Sequence, residues 1–149
     1  MNAPGDPQAR AEAVGRELYA RDSASQALGI TLEEIRPGYA RMKMTVRDDM
    51  VNGHDLAHGG LIFTLADSTF AFACNSHNHV TVAQGATIEF LAPGRRGDVL
   101  TAEGREQYAS GRTGVYDITV TAADGRTIAL FRGKSFRLGT HILTPPQTA

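Results

Sequence analysis

A chain of 149 residues is long enough for one domain with a hydrophobic core and too short for two. The formal net charge is −1, the basic residues are dispersed and no apolar run reaches the ~18 residues of a membrane span, which argues against nucleic-acid and membrane partners. One cysteine, Cys74, excludes an internal disulfide framework, and the first seven residues lack a signal-peptide pattern, so we expect a cytoplasmic protein.

The first part of the chain predicts one modest helix and two strands. Apolar spacing around Val14 and Leu18 is typical of an amphipathic helix, while apolar and polar residues alternate after the Pro37-Gly38 turn as in a half-buried strand. In chain order we expect a disordered lead-in over 1–8, helix Ala9–Ala27, strand Leu28–Ile35, strand Tyr39–Arg47 and a polar loop Asp48–Ala57.

The second part predicts a run of strands joined by short turns. Asp124-Gly125 is a strong signal for a tight hairpin turn, and consecutive hairpins form an antiparallel sheet. The expected strands are Val80–Leu91, Val99–Ala109, Gly114–Ala122 and Thr127–Leu138, followed by a flexible tail over 141–149. The predicted class is α+β, a single domain over 9–140 in which the sheet curls round one long helix.

That central helix follows His58-Gly59-Gly60 and is apolar on all sides except at Asp67. A helix of this composition is normally buried. The two glycines leave backbone N–H groups uncovered at its start, which suits a negative or developing negative oxygen. An ionised carboxylate in such a helix is costly unless it is paired, hydrated or used in catalysis.

The distance between Gly59 and Asp67 is too large for both to act on one carbon from the same chain. Eight residues of helix span roughly 12 Å, at about 1.5 Å per residue. If two copies of the helix lie antiparallel across a two-fold axis, the start of one reaches the aspartate of the other. We therefore expect a site that needs a dimer.

The block Asn52–Asp67 resembles the hotdog-fold acyl-CoA thioesterases, most closely the PaaI type of the phenylacetate-degradation pathway. The resemblance continues through the strand Thr87–Pro93 and Gly97-Asp98 and spans about Leu28 to Leu138. It implies a hotdog fold, a dimer formed by the edges of two sheets, and dimers that join into tetramers. It implies neither a cofactor nor a metal.

The resemblance also implies roles for individual residues. The N–H of Gly59 would polarise the thioester carbonyl, and Asp67 of the partner chain would attack it or activate a water. Asn52 and His58 would position groups beside the carbonyl. Some relatives orient the water with a Ser or Thr on the next strand; Val82–Ala86 has no hydroxyl, which leaves Gln84 or Thr64.

Substrate-binding candidates lie around this motif and in two turns. Gly60 shares the exposed helix start with Gly59. Guanidinium groups suit the phosphates of coenzyme A, and the candidates are Arg95, Arg96 and Arg112, with Lys134. The spacing of His54, Asp55 and His58 is not a zinc signature, and Cys74 is interpreted as a core thiol.

The expected function is therefore hydrolysis of an aryl-acetyl-CoA thioester such as phenylacetyl-CoA or a ring-hydroxylated form. Two alternatives stay open: another acyl group (hydroxybenzoyl or medium-chain), and a non-catalytic module that binds acyl-CoA. A buried carboxylate beside an anionic ligand argues against pure binding. A hotdog dehydratase is less consistent, because its histidine–carboxylate pairing is not evident.

Overall fold

The structure is a computed structural model that describes residues 5–144, and it confirms the predicted α+β arrangement of one long helix wrapped by an antiparallel sheet. The elements in chain order are α1 (Pro7–Arg21), α2 (Ser23–Ala27), β1 (Thr31–Arg36), β2 (Tyr39–Thr45), a 3-10 turn (Asp48–Met50), α3 (Gly59–Asn75), β3 (His79–Phe90), β4 (Val99–Ser110), β5 (Thr113–Ala122) and β6 (Thr127–His141).

The six strands lie in the order β1-β2-β4-β5-β6-β3, and every neighbouring pair is antiparallel. Strands β4, β5 and β6 form the predicted meander. Strand β3, which directly follows α3, pairs with β6 and therefore forms an edge of the sheet. Its free side leaves Val82 and Phe90 exposed, which is unusual for large apolar side chains at a sheet edge.

The N-terminal segment departs from the prediction at three points. Helix α1 begins at Pro7, because the Asp6 carboxylate accepts the Gln8 N–H at 3.1 Å and caps it. Pro7 and Gln8 therefore belong to a helix and not to a lead-in, while residues 1–4 lie outside the described residues. The predicted single helix is divided at Asp22, which caps α2. The first strand starts at Thr31 because Gly29, with φ +68°, turns the chain after α2.

The structure differs from the predicted flexible tail at residues 141–143. Strand β6 continues to His141, and Ile142 is buried. The Leu143 N–H donates to the Asn78 side-chain oxygen at 2.8 Å. The chain is thus attached to the fold through Leu143, and the rest of the predicted tail, residues 145–149, lies outside the described range.

Helix α3 packs against the inner face of the sheet. Its buried residues include Leu65, Phe70 and Phe72. The approach is close: a Cβ on Gly133 of β6 would lie 2.7 Å from the Phe70 ring, so the absence of a side chain there sets the helix–sheet distance. No helix within residues 5–144 is both long and apolar enough to cross a membrane.

Candidate active site

The loop that leads into α3 is shaped by the side chain of Asn52. Its Oδ1 accepts the N–H of His54 at 2.9 Å and that of Leu56 at 3.3 Å. The backbone N–H of Asn52 donates to the Leu56 carbonyl at 2.8 Å. The Nδ2 amide has no partner among residues 5–144, and Asn52 lines the cleft described below. Asn52 therefore holds the loop with one end of its side chain and has a free donor at the other.

His58 caps the start of α3. Its backbone carbonyl begins the helical ladder, and its Nδ1 accepts the Gly60 N–H at 3.0 Å. A methyl group on Gly60 would lie 3.1 Å from Nδ1, so the glycine leaves room for the capping ring. Because Nδ1 accepts, the proton of the neutral ring is on Nε2. Gly60 is thus committed to the cap, and its N–H is unavailable to a ligand.

Gly59 is the first residue of α3, and its N–H has no hydrogen-bond partner among the described residues. The positive end of the helix dipole lies at this position. The N–H of Gly59 is therefore the open donor of the helix start. The prediction that both glycines leave their N–H groups uncovered is met by Gly59 and is wrong for Gly60, whose N–H donates to His58.

A cleft of about 390 Å³ opens beside Gly59. It runs between the loop before α3 and the end of β3, and its lining is apolar apart from Asn52. The lining residues are Asn52, Leu56, Ala57, Gly59, Ile62, Phe90, Leu91, Ala92, Pro93 and Gly94. Phe90 and Leu91 were not among the predicted site residues. The sequence could have indicated both residues, because they lie in the segment Thr87–Pro93 that resembles the thioesterase family.

Asp67 lies two turns further along α3, half-buried and without a hydrogen bond or ion pair to any described residue. Burial raises the pKa of its carboxyl group. Thr64, on the same helix face, donates its hydroxyl to the Gly60 carbonyl at 2.9 Å. Within one chain Asp67 does not line the Gly59 cleft, in agreement with the rise of the helix between them.

Gln84 lies at an irregularity of the edge strand. Ala83 pairs with Ser135 and Gly85 pairs with Lys134, so Gln84 has no residue opposite it on β6. An extra residue of this kind forms a β-bulge, which redirects a side chain. The Gln84 side chain is exposed on β3, away from the Gly59 cleft of its own chain.

The four basic candidates do not form one group. Arg96 is paired with Asp48 at 3.0 Å and with Asp55, so its charge is balanced by two carboxylates of the loop before α3. Arg95 is exposed in the same turn, and its side chain has no ion pair among residues 5–144. Arg112 lies in the β4–β5 turn beside Gly139, far along the sheet from Gly59. Lys134 is exposed on β6.

Cys74 is not among the residues that line the cleft. The Cys74 thiol is buried, and burial raises its pKa to about 12, so it stays protonated at neutral pH. No cluster of three or more His, Cys, Asp or Glu side chains suitable for a metal ion occurs within the described residues.

Comparison with known proteins points to one family. Residues 54–129 match the family model described as the thioesterase superfamily. The chain is similar to the acyl-coenzyme A thioesterase PaaI of Escherichia coli, with 47% identity over 122 residues, 82% of this chain and 87% of that one.

Two solved structures are similar over most of their length. The E. coli PaaI structure has a TM-score of 0.90 with 43% identity and covers 91% of this chain and 99% of its own. The protein smu.793 of Streptococcus mutans, solved bound to acetyl CoA, has a TM-score of 0.73 with 28% identity and covers 75% of this chain and 90% of its own.

Proposed function

The chain belongs to the thioesterase superfamily, has its hotdog fold and is a thioester hydrolase, and we propose that its substrates are aryl-acetyl-CoA thioesters such as phenylacetyl-CoA. The products are the free acid and coenzyme A. The acyl-CoA part of this proposal is supported by the E. coli relative, an acyl-coenzyme A thioesterase, and by the acetyl CoA bound to the S. mutans protein.

The observation that carries the proposal is the N–H of Gly59, which has no partner among residues 5–144 and belongs to a residue that lines an apolar cleft. Thioester hydrolysis passes through a tetrahedral oxyanion. One well-placed donor in a water-poor site lowers such a barrier by roughly 3–4 kcal/mol. The helix dipole adds to this donor without reorganisation. Asn52 also lines this cleft, and its Nδ2 amide, which has no partner among residues 5–144, is the candidate for a second donor.

Asp67 of the partner chain supplies the base or the nucleophile. As base, it takes a proton from a water whose oxygen adds to the thioester carbon, and the carbonyl electrons move to the oxygen held by Gly59. The tetrahedral intermediate then collapses, the C–S bond breaks, and the thiolate of coenzyme A leaves and takes up a proton. As nucleophile, the carboxylate adds to the thioester carbon, the C–S bond breaks and the thiolate of coenzyme A leaves and takes up a proton. Water then cleaves the resulting mixed anhydride, which releases the free acid and restores the carboxylate.

Two surfaces that are exposed in a single chain, one face of α3 and the edge strand β3, support the dimer that this chemistry requires. Gly60 is exposed, and Thr64 and Asp67 are half-exposed, along one face of α3. The adjoining edge strand β3 has unpaired backbone groups and an exposed Val82. Two chains related by a two-fold axis would cover both features and bring each Gly59 to the other chain's Asp67. A dimer of such dimers is part of the same proposal.

Within this site, Gln84 is the better candidate than Thr64 to orient the attacking water. The Thr64 hydroxyl is already donated to the Gly60 carbonyl. Gln84 lies on the edge strand that the dimer would cover, and at the bulge it has no residue opposite it on β6. His58 acts through the cap and positions the helix start. Arg95, Arg112 and Lys134 remain proposed contacts for the phosphates of coenzyme A.

A medium-chain acyl group is the second candidate. Leu56, Ile62 and Leu91 give the cleft aliphatic walls that also fit a straight chain. Steady-state release of free coenzyme A from phenylacetyl, hydroxyphenylacetyl, hydroxybenzoyl, acetyl and hexanoyl thioesters separates these substrates. We expect the highest kcat/KM for an aryl-acetyl thioester. Binding of every thioester without release of coenzyme A would instead establish a binding module.

A further inference from the structure

Phe90, the last residue of β3, contacts the residue that carries the open donor. A Cβ placed on Gly59 would lie 3.2 Å from Cζ of the Phe90 ring, 3.4 Å from Cε1 and 3.7 Å from Cε2. The order of these distances shows that the tip of the ring points at Gly59. The aromatic ring therefore closes one side of the helix start.

The rest of the ring is open to the cleft. Phe90 is 53% exposed, although it is a large apolar side chain. It is the only aromatic residue among the described residues that line the cleft. With its tip on Gly59, the ring leaves a face available to a group that enters beside the Gly59 N–H.

Given the proposed function, we propose that Phe90 is a specificity-determining residue. It packs against the aromatic ring of the acyl group while the thioester carbonyl of the substrate accepts the Gly59 N–H. In an aryl-acetyl thioester a single methylene separates the carbonyl from the ring. A carbonyl bound by the Gly59 N–H therefore brings the acyl ring to the side of the helix start that Phe90 occupies. Offset or edge-to-face contact between two aromatic rings is favourable beyond the area it buries.

The electrostatics of the contact suit the reaction as well. An aromatic ring is positive at its edge and negative on its face. Phe90 directs its edge toward Gly59, where the oxyanion develops, and so places no negative surface beside it. The ring also excludes water from that side of the donor.

The test compares phenylacetyl-CoA with hexanoyl-CoA in the wild type, Phe90→Leu and Phe90→Tyr, with Tyr108→Leu as an exposed aromatic control on β4. Phe90→Leu keeps an apolar side chain but loses the aromatic contact. We expect the kcat/KM ratio of phenylacetyl to hexanoyl to fall by about two- to tenfold. A ratio equal to that of the wild type and of Tyr108→Leu would overturn the inference.

Phe90→Tyr tests the direction of the ring by adding one hydroxyl group at its tip. Its hydroxyl would extend from the tip toward Gly59 and displace the thioester carbonyl. We expect kcat to fall at least about tenfold for both substrates. A tyrosine variant as active as the wild type would contradict the ring placement. If the wild type itself releases no coenzyme A, the proposed function fails and the inference with it; an active wild type with an unchanged ratio defeats the inference alone.

Discussion

The Nδ1 atom of His58 accepts the N–H of Gly60 at 3.0 Å, and this one hydrogen bond separates the two glycines of the motif into different roles. Gly60 completes the helix cap. Gly59, one residue earlier, keeps an N–H without a partner among the described residues. The helix start therefore offers one backbone donor, at a defined point of the cleft, to a substrate oxygen.

Gly59→Pro removes that donor at small cost to the helix. Proline is tolerated at the first helical position, and His58, with φ −64° and ψ 126°, already has the conformation required before proline. We expect kcat to fall by about 10²–10³. Gly59→Ala is the matched control, because it makes the same Cβ contact with Phe90 but keeps the N–H. Equal losses in the two variants would show that the contact, and not the donor, matters.

His58→Ala removes the cap and leaves the Gly60 N–H without its acceptor. The expected loss in the free energy of unfolding is about 1 kcal/mol. His58→Asn supplies another capping oxygen and should restore most of it. Urea unfolding of the three proteins measures the difference. If alanine and asparagine destabilise equally, the ring stabilises the loop by its packing and not by the hydrogen bond.

The pH dependence of kcat/KM reports the ionisation of Asp67. Burial raises its pKa above the ordinary value of 3.8, and the reaction needs the carboxylate. Activity is therefore lost as pH falls through this raised pKa, and the midpoint of the acidic limb is expected above 3.8. A midpoint at or below 3.8 would mean that the partner's helix start outweighs burial.

Arg112 and Arg96 should differ as phosphate contacts, because only Arg96 has its charge balanced by two carboxylates. We expect Arg112→Ala to raise KM for acyl-CoA by up to about fivefold at low salt, and Arg96→Ala to raise it less. High salt should reduce the effect of Arg112→Ala. A larger increase in KM for Arg96→Ala than for Arg112→Ala would instead indicate that the phosphates bind at the turn that contains Arg96.

Local sequence patterns predicted the central helix, the four later strands and the open Gly59. The apolar run after Gly60 and the alternation in the strands are short-range signals, and the glycines and Asp67 stand out within one segment. Helical spacing through Leu18 and Tyr19 could not reveal the break at Asp22, because that break depends on a side-chain cap.

Short-range sequence patterns could not predict the contacts between segments that are distant in the chain. The ring of Phe90 meets Gly59 across 31 positions, and Arg96 reaches Asp48 across the loop and the helix. The bulge at Gln84 depends on the register between β3 and β6. Each of these follows from tertiary packing. The cytoplasmic location stays a prediction.

Asp67→Asn should lower kcat by about a hundredfold or more, since it removes the nucleophile or base. Because burial raises the pKa of Asp67, its ionised form opposes folding at neutral pH, and the variant should be at least as stable as the wild type. Asp49→Asn, at an exposed carboxylate beside Arg47, is the control and should keep wild-type activity.

The shared site is tested most directly by mixing two inactive chains. Gly59→Pro and Asp67→Asn chains are co-expressed with different tags, and the mixed dimers are purified and assayed for release of coenzyme A. A site built from Gly59 of one chain and Asp67 of the other is intact once in each mixed dimer, which should recover roughly half of the wild-type activity. Mixed dimers that stay as inactive as the two parents would show that the site is not shared between chains.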